Sequence, residues 1–275
     1  MARITKRMPT PTGVGKGETA LAKLPIGNRF HRLFLIYSGV TLAEMTEIRV
    51  LANAKTIHRY SATERDVLNQ YRGLDAAAGI LEIPFDRQDL LTRKGQEETA
   101  INTGSQNPNS GQIITALNLE VDVDENAVGT PSFQVYAEIS DRIDGGPGTV
   151  LHVKKHTRSA AGAGELEIAD LPFNQRTAMG LNAVFIKPSA NDISKIVVER
   201  GLYKVFERTK ALNERIQTNG YRYPQAGWHA VDFTENRFGG NTLNLVGYQD
   251  FRYLLDMTGA AQLNIISEYM GQLGD

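Results

Sequence analysis

The sequence predicts an all-β protein built as two tandem eight-stranded jelly rolls, a double jelly roll, with short helices between strands. Three observations carry this prediction. Short alternating or apolar segments, separated by Gly, Pro, Asn and Asp, fill most of the chain. Their length and their β-branched and aromatic content suit strands. Helical patterns are few. Finally, the chain repeats itself. At an offset of 147, Glu18 pairs with Glu165, Ala22 with Ala169, Leu24 with Leu171, Pro25 with Pro172 and Arg29 with Arg176. At an offset of 148, Ile48 pairs with Ile196, Val50 with Val198, Ala78 with Ala226, Gly79 with Gly227 and Phe85 with Phe233. An ordered series at nearly constant offset points to duplication of a unit of roughly 110–130 residues, an ordinary domain size.

Residues 1–17 hold Arg3, Lys6, Arg7 and Lys16, no acid, two prolines and three glycines. Without periodicity they read as a flexible basic N-terminal arm rather than a packed element. The first roll, 18–143, has strands expected near 18–24, 29–37, 46–52, 54–60, 79–86, 95–102, 112–123 and 131–140. Between the fourth and fifth lies a helix, Ser61–Arg72: Ser61 is its N-cap, Glu64 completes a capping box, and Gly73 ends it. Gly104–Gln112 reads as an exposed polar loop particular to this copy. Residues 144–164, glycine-rich at both ends, read as a linker. The second roll, 165–275, has strands near 164–171, 179–187, 193–199, 202–207, 227–234, 241–246, 250–258 and 262–270, with a helix at Glu207–Thr218 in the corresponding place. Eight antiparallel strands in two packed sheets is the jelly-roll count.

Composition narrows the function. Thirty basic and 31 acidic residues leave a formal charge of −1, which argues against binding nucleic acid through phosphate neutralisation. The chain has no cysteine, which excludes disulfides, thiolate metal sites and cysteine nucleophiles. No apolar run approaches the ~18 residues of a membrane span. The start of the chain lacks the apolar region of a secretion signal. The expectation is a soluble chain with no export signal of its own.

No motif assembles a catalytic, cofactor or metal site. TPTGVGKGET at 10–19 resembles a phosphate-binding loop, but Thr10 stands at the first glycine position, Gly17 at the hydroxyl position, and no strand precedes it. His152 and His156 have the i, i+4 spacing of paired metal ligands, yet they alternate along a strand-like stretch beside Lys154, Lys155 and Arg158 with no third ligand near. His31, His58 and His229 read as core or edge histidines. A double-cupin enzyme would need a His-x-His pair, and a hydrolase elbow Gly-x-Ser-x-Gly; neither occurs. The acidic run Glu120, Asp122, Asp124 and Glu125 places three carboxylates on one strand face and raises structural calcium, which takes 6–8 oxygens. With no glycine and terminal glutamate at EF-hand distance, a solvated strand face is the expectation. Trp228 reads as a core position, and Arg29 and Arg176 as supports of the turns after the two Leu-Pro pairs.

Leu24-Pro25-Ile26-Gly27, Tyr37-Ser38-Gly39-Val40-Thr41, Glu167-Ile168-Ala169-Asp170-Leu171-Pro172 and Glu268-Tyr269-Met270-Gly271 resemble, in order and spacing, the major capsid protein of corticoviruses, tailless icosahedral bacteriophages with an internal membrane. The resemblance runs from about Glu18 to Gly271. It implies a non-enzymatic virion protein, made in the host cytoplasm, whose homotrimers form pseudo-hexagonal capsomers in a shell around that membrane, beside minor capsid and membrane proteins. Calcium is associated with shell stability in such viruses, and no site is transferred here. Arg3, Lys6, Arg7 and Lys16 would then meet anionic lipid, each worth ~1 kcal/mol near such a surface, or grip a neighbouring capsomer. The alternative reading is a tandem β-sandwich of lectin-like or receptor-binding spike type, which exposed loop aromatics would favour.

Overall fold

The structure, a computed structural model, describes residues 3–274. Its first half runs β1 (Ile4–Arg7), β2 (Thr19–Leu24), β3 (Asn28–Ser38), β4 (Met45–Ala52), β5 (Lys55–Tyr60), α1 (Ala62–Tyr71), β6 (Ile80–Pro84), α2 (Arg93–Glu97), β7 (Ile101–Asn102), β8 (Leu117–Val123) and β9 (Ser132–Asp141). The second runs β10 (Val150–Ala160), β11 (Gly164–Ile168), β12 (Gly180–Pro188), β13 (Ile193–Arg200), β14 (Tyr203–Thr209), α3 (Lys210–Gln217), β15 (His229–Asp232), β16 (Leu243–Asn244), β17 (Phe251–Met257) and β18 (Ala261–Gly271).

Pairing repeats with the elements. The first half orders its strands β1-β9-β3-β6 in one sheet and β5-β4-β8-β2 in the other. The second half orders them β10-β18-β12-β15 and β14-β13-β17-β11. Strand for strand these are the same two four-stranded sheets, and the chain crosses between them as a jelly roll does.

Two expectations about organisation are corrected here, and the correction is the same in both copies. Ile4–Arg7, expected in a flexible arm, is a strand: Ile4 pairs with Ile139 and Arg7 with Tyr136. Val150–Ala160, expected in the linker, is an eleven-residue strand paired along its whole length with β18. Each is the opening strand of its roll. Conversely, the segments expected as strands near 95–102 and 241–246 contribute only two ladder residues each, β7 and β16; Arg93–Glu97 is a short helix and Gly239–Asn241 a 3-10 turn. The polar loop 104–112 is exposed at Gln106 and at Pro108 to Gly111, as expected, and is tethered at its ends, where Asn107 lies against Gly146 and Gln112 donates to the Gly274 carbonyl at 2.9 Å.

The local logic of the helix α1 is as its sequence implies. Ser61 Oγ accepts from the Glu64 amide at 3.2 Å, and Glu64 Oε2 accepts from the Ser61 amide at 2.7 Å. Gly73, at φ +82°, turns the chain out of the helix. At Gly39 the backbone is left-handed (φ +72°) and a Cβ would lie 1.9 Å from the Thr130 carbonyl oxygen, so only glycine fits.

Each roll has its own core, and the first extends across to the second. Val184, Ile186, Leu263 and Ile265 point into the second roll, whereas Ala183, Phe185, Ala230 and Ile266 join the first roll's cluster. β12 is therefore covered on both faces, which explains the unbroken buried run from Gly180 to Ile186. Trp228 and Tyr71 belong to that shared layer, and Tyr71 meets Phe185 edge to face at 5.1 Å.

Candidate functional site

The functional geometry of this chain lies where the two rolls meet and where their edges end. β10 of the second roll lies parallel to β5 of the first, with Val153 opposite His58, and so fuses two four-stranded sheets edge to edge. His58 Nε2 faces the Leu151 carbonyl at 3.1 Å and Nδ1 faces the Tyr60 hydroxyl at 3.2 Å. Burial, assisted by the charges of Arg65 and His152, pushes the His58 pKa down to about 3. The imidazole is neutral: Nε2–H donates to the carbonyl and Nδ1 accepts from the tyrosine. His152, opened only to the Gln272 carbonyl at 2.7 Å, is pushed down to about 4, mainly by burial.

Around this seam a set of buried charges crosses between the rolls. Glu64, the capping-box carboxylate, also accepts from Lys155 Nζ at 2.6 Å and from Asn264 Nδ2 at 2.5 Å. Arg72 pairs with the fully buried Glu268, which also accepts from Asn182 Nδ2 at 2.9 Å. Burial raises the Glu268 carboxyl pKa, but the charge and hydrogen bond of Arg72, with Arg65 and Asn182 behind them, bring it below the ordinary range. Arg222 holds Asp232 at 2.7 Å and Asp89 at 2.6 Å. Arg87 reaches Asn182 at 3.3 Å and Thr242 at 3.1 Å. The arrangement has no nucleophile poised against a base; its chemistry is that of a lock between two sandwiches. Sequence reasoning named Glu64 only as a capping residue, Lys155 only as part of a basic stretch and Glu268 only within a motif, and missed the pairing of all of these residues. A signal existed in Glu268, the one charged residue of the otherwise uncharged strand β18.

The residues singled out from sequence fall as follows. The 10–19 stretch makes no phosphate cradle: Thr12 and Leu21 exchange backbone hydrogen bonds at 2.8 and 2.9 Å, and Lys16 Nζ is spent on the Val128 carbonyl at 3.1 Å. His152 and His156 both lie on β10, four residues apart and thus about 13 Å along a strand, too far to share one ion. His31 is buried against Ser140 and Asp86, and His229 against Asp192 at 2.7 Å. In the acidic stretch, Arg49 occupies the middle of the face: it bonds Glu120 at 2.9 Å, and Asp122 and Glu47 at 2.7 Å. Asp124 turns away to accept from the Asn126 amide at 2.8 Å. Among the described residues no three His, Asp or Glu side chains converge as a metal site would require. Arg29 clamps Glu97, and the Arg176 carbonyl accepts from the Gln272 amide at 2.7 Å. Trp228 is in the core, as expected. Of the four basic residues assigned to lipid, Arg3 is taken by Asp86, Glu97 and Glu138 at 2.9–3.2 Å.

Two jelly rolls with corresponding strand order, joined side by side through one nine-stranded sheet, define a double jelly-roll protein. Comparison with known proteins gives the family. The model of the viral coat protein P2 N-terminal domain matches residues 5–140, and that of the P2 C-terminal domain matches 150–273. The chain belongs to the viral coat protein P2 family. It is 26% identical over 260 residues to the major capsid protein P2 of Pseudoalteromonas phage PM2, covering 94% of this chain and 93% of that protein. The crystal structure of the PM2 protein superimposes with a TM-score of 0.86 at 24% identity, over 98% of this chain and 97% of that one. The STIV MCP shares the fold at a TM-score of 0.69 and 10% identity, over 98% and 97%. The PBCV-1 virus capsid protein does so at 0.62 and 9%, over 98% and 93%. The chain is a major capsid protein, located in the virion shell, and not an enzyme. This membership sets aside the lectin-like or spike alternative, although the loops expose Tyr221, Tyr223 and Phe238, more aromatics than the sequence suggested, and Tyr203 is exposed at the start of β14.

Proposed function

We propose that three copies of this chain close into a pseudo-hexagonal capsomer, and that such capsomers tile a shell enclosing an internal membrane. One observation carries the trimer: the seam inside the chain has an equivalent that a single copy leaves open. β10 is the repeat of β1, and β5 is the repeat of β14, so the intrachain β10–β5 joint corresponds to a β1–β14 joint. In the single chain both of those strands are sheet edges, and Ile4–Arg7 is exposed throughout. A second copy that offers β14 to β1 repeats the joint already present, and three copies close the ring. Closed symmetry of this kind is the usual outcome for a heterologous contact whose rotation closes.

The same reasoning divides the two roles considered for the basic N-terminal residues. With Arg3 taken up by carboxylates and Lys6 and Arg7 on the joining edge, the assembly role is favoured over lipid contact.

Light scattering after size exclusion should give about 90 kDa, three chains of 30.3 kDa. In the cysteine-free chain, Arg7→Cys with Glu207→Cys should crosslink between subunits on oxidation. A monomer, or a trimer that never crosslinks, would overturn the β1–β14 assignment. On anionic liposomes, wild type and Lys6→Glu/Arg7→Glu should float equally; loss of flotation in the variant would restore the lipid role.

A further inference from the structure

Beside the seam lies a cavity of about 280 Å³ whose wall is drawn from both rolls. Arg32, Arg65, Arg72 and Arg87 come from the first, and Leu151 and Glu268 from the second. Four guanidiniums around one small space is an unusual lining, and their bonding is unequal. Arg32 is satisfied by Glu82 at 2.8 Å and Glu138 at 2.7 Å, and Arg72 by Glu268. Arg65 is different. It is 1% exposed, its Nε donates to Asn69 Oδ1 at 3.0 Å, its plane lies over the Tyr60 ring at 5.5 Å, and no carboxylate bonds it. Its Nη2 is buried without a partner, as is Nε of Arg87, which is 4% exposed and whose Nη2 is held by Glu98 at 2.6 Å, so that only Arg65 lacks a carboxylate. A buried guanidinium N–H left unpaired costs a large part of its desolvation energy.

The carboxylates on the wall do not offset this. Glu82 is bound by Arg32, Asp86 by Arg3, and Asp89 by Arg222. Glu268 has one oxygen on Arg72 and Asn182, and its other oxygen is itself unpartnered. We propose that this cavity binds a small tetrahedral oxyanion, of the phosphate or sulfate class, on the free N–H groups of Arg65 and Arg87, and that the bound anion braces one roll against the other. Planar, forked guanidinium donors suit oxyanions in preference to spherical halides. The basicity of both groups points the same way: burial, and for Arg65 the neighbouring charge of Arg72, lowers each below the usual arginine value. A protonated form disfavoured by its surroundings gains most from an added negative charge. The unpartnered oxygen of Glu268 sets the orientation, because it accepts only from a protonated oxygen and so selects hydrogenphosphate over sulfate.

The test is thermal unfolding of the full chain in inorganic phosphate, sulfate and chloride at matched ionic strength and neutral pH. Phosphate should raise Tm by about 2–4 °C over chloride, with sulfate between them, a shift that grows with concentration as ligand linkage requires. Arg65→Met should abolish the difference between salts while keeping the fold. Equal Tm in phosphate and chloride for the wild type would overturn the proposal whatever the variant does. So would a phosphate shift that persists undiminished in Arg65→Met, which would mark a general salt effect.

Discussion

Glu268→Gln removes the carboxylate that bonds Arg72 in the seam, leaving the more distant charges of Asp89 and Asp232. The two side chains are 1% and 15% exposed, so the remaining guanidinium has little access to water. Breaking a buried pair by removing one partner costs about 3–5 kcal/mol. At about 2.1 cal/mol/K of unfolding entropy per residue, the 275 residues convert that into a fall in Tm of about 5–9 °C. Arg72→Met should cost a similar amount, since it strands the carboxylate instead. The double variant should recover most of the loss, because an apolar pair of similar size often replaces a buried ion pair without penalty. Calorimetry at neutral pH on the three variants measures the cycle directly. The sign with pH also follows. The carboxyl is held below its usual 4.5, so its contribution is complete above that value and drains as pH falls through the folded pKa. Wild type and Glu268→Gln should therefore converge in acid. Single variants that shift Tm by less than about 2 °C, or a double variant as damaged as the sum, would refute the account of the seam as a charge lock.

His58 and His152, held down to about 3 and about 4, contribute stability that is full above pH 6.5 and lost as pH falls toward those values, since only the unfolded chain takes up the proton; Tm measured against pH should decline from about 6.5, and less steeply in His58→Gln. Arg49→Met should cost about 1 kcal/mol, because three part-exposed carboxylates lose their common cation, and calcium should raise the Tm of that variant while leaving the wild type unchanged; a calcium response of the wild type that Asp122→Asn removes would reverse this reading. Ser61→Ala should cost about 1 kcal/mol, or about 2 °C in Tm, through loss of the α1 cap. Gly39→Ala should cost more than the cap, because its Cβ would collide with backbone at Thr130; an unchanged Tm would show that the loop shifts freely.

Much of the fold was legible because the signals are local. Leu117–Val123 alternates buried and half-buried in strict period two, and the α1 capping box reads directly from Ser61 and Glu64. The duplication, visible as offsets of 147 and 148, placed corresponding strands correctly. What escaped is physically of one kind. β1, Ile-Thr-Lys-Arg, is exposed at all four positions, so it has no burial pattern to betray it; only its ladder with β9, more than a hundred residues away, makes it a strand. β10 starts apolar, but its second half, Lys154 to Ser159, is half-buried or exposed and reads as solvated basic chain. The seam charges are further still from local logic: Arg72 and Glu268 stand 196 residues apart, and Glu64 and Asn264 stand 200 apart. No window on the sequence contains both partners.

The parallel joint between β5 and β10 has a consequence for synthesis. A nascent chain emerging at about 5–20 residues per second presents the open edge of β5 on the order of 5–20 s before Val153 arrives opposite His58. For that interval a half-made subunit carries an unpaired strand border, the kind of template on which neighbouring polysomes begin to aggregate. The later half of the gene thus acts as a chaperone for the earlier one, and a truncated product ending before Val150 should be recovered from cells in inclusion bodies rather than as a free domain.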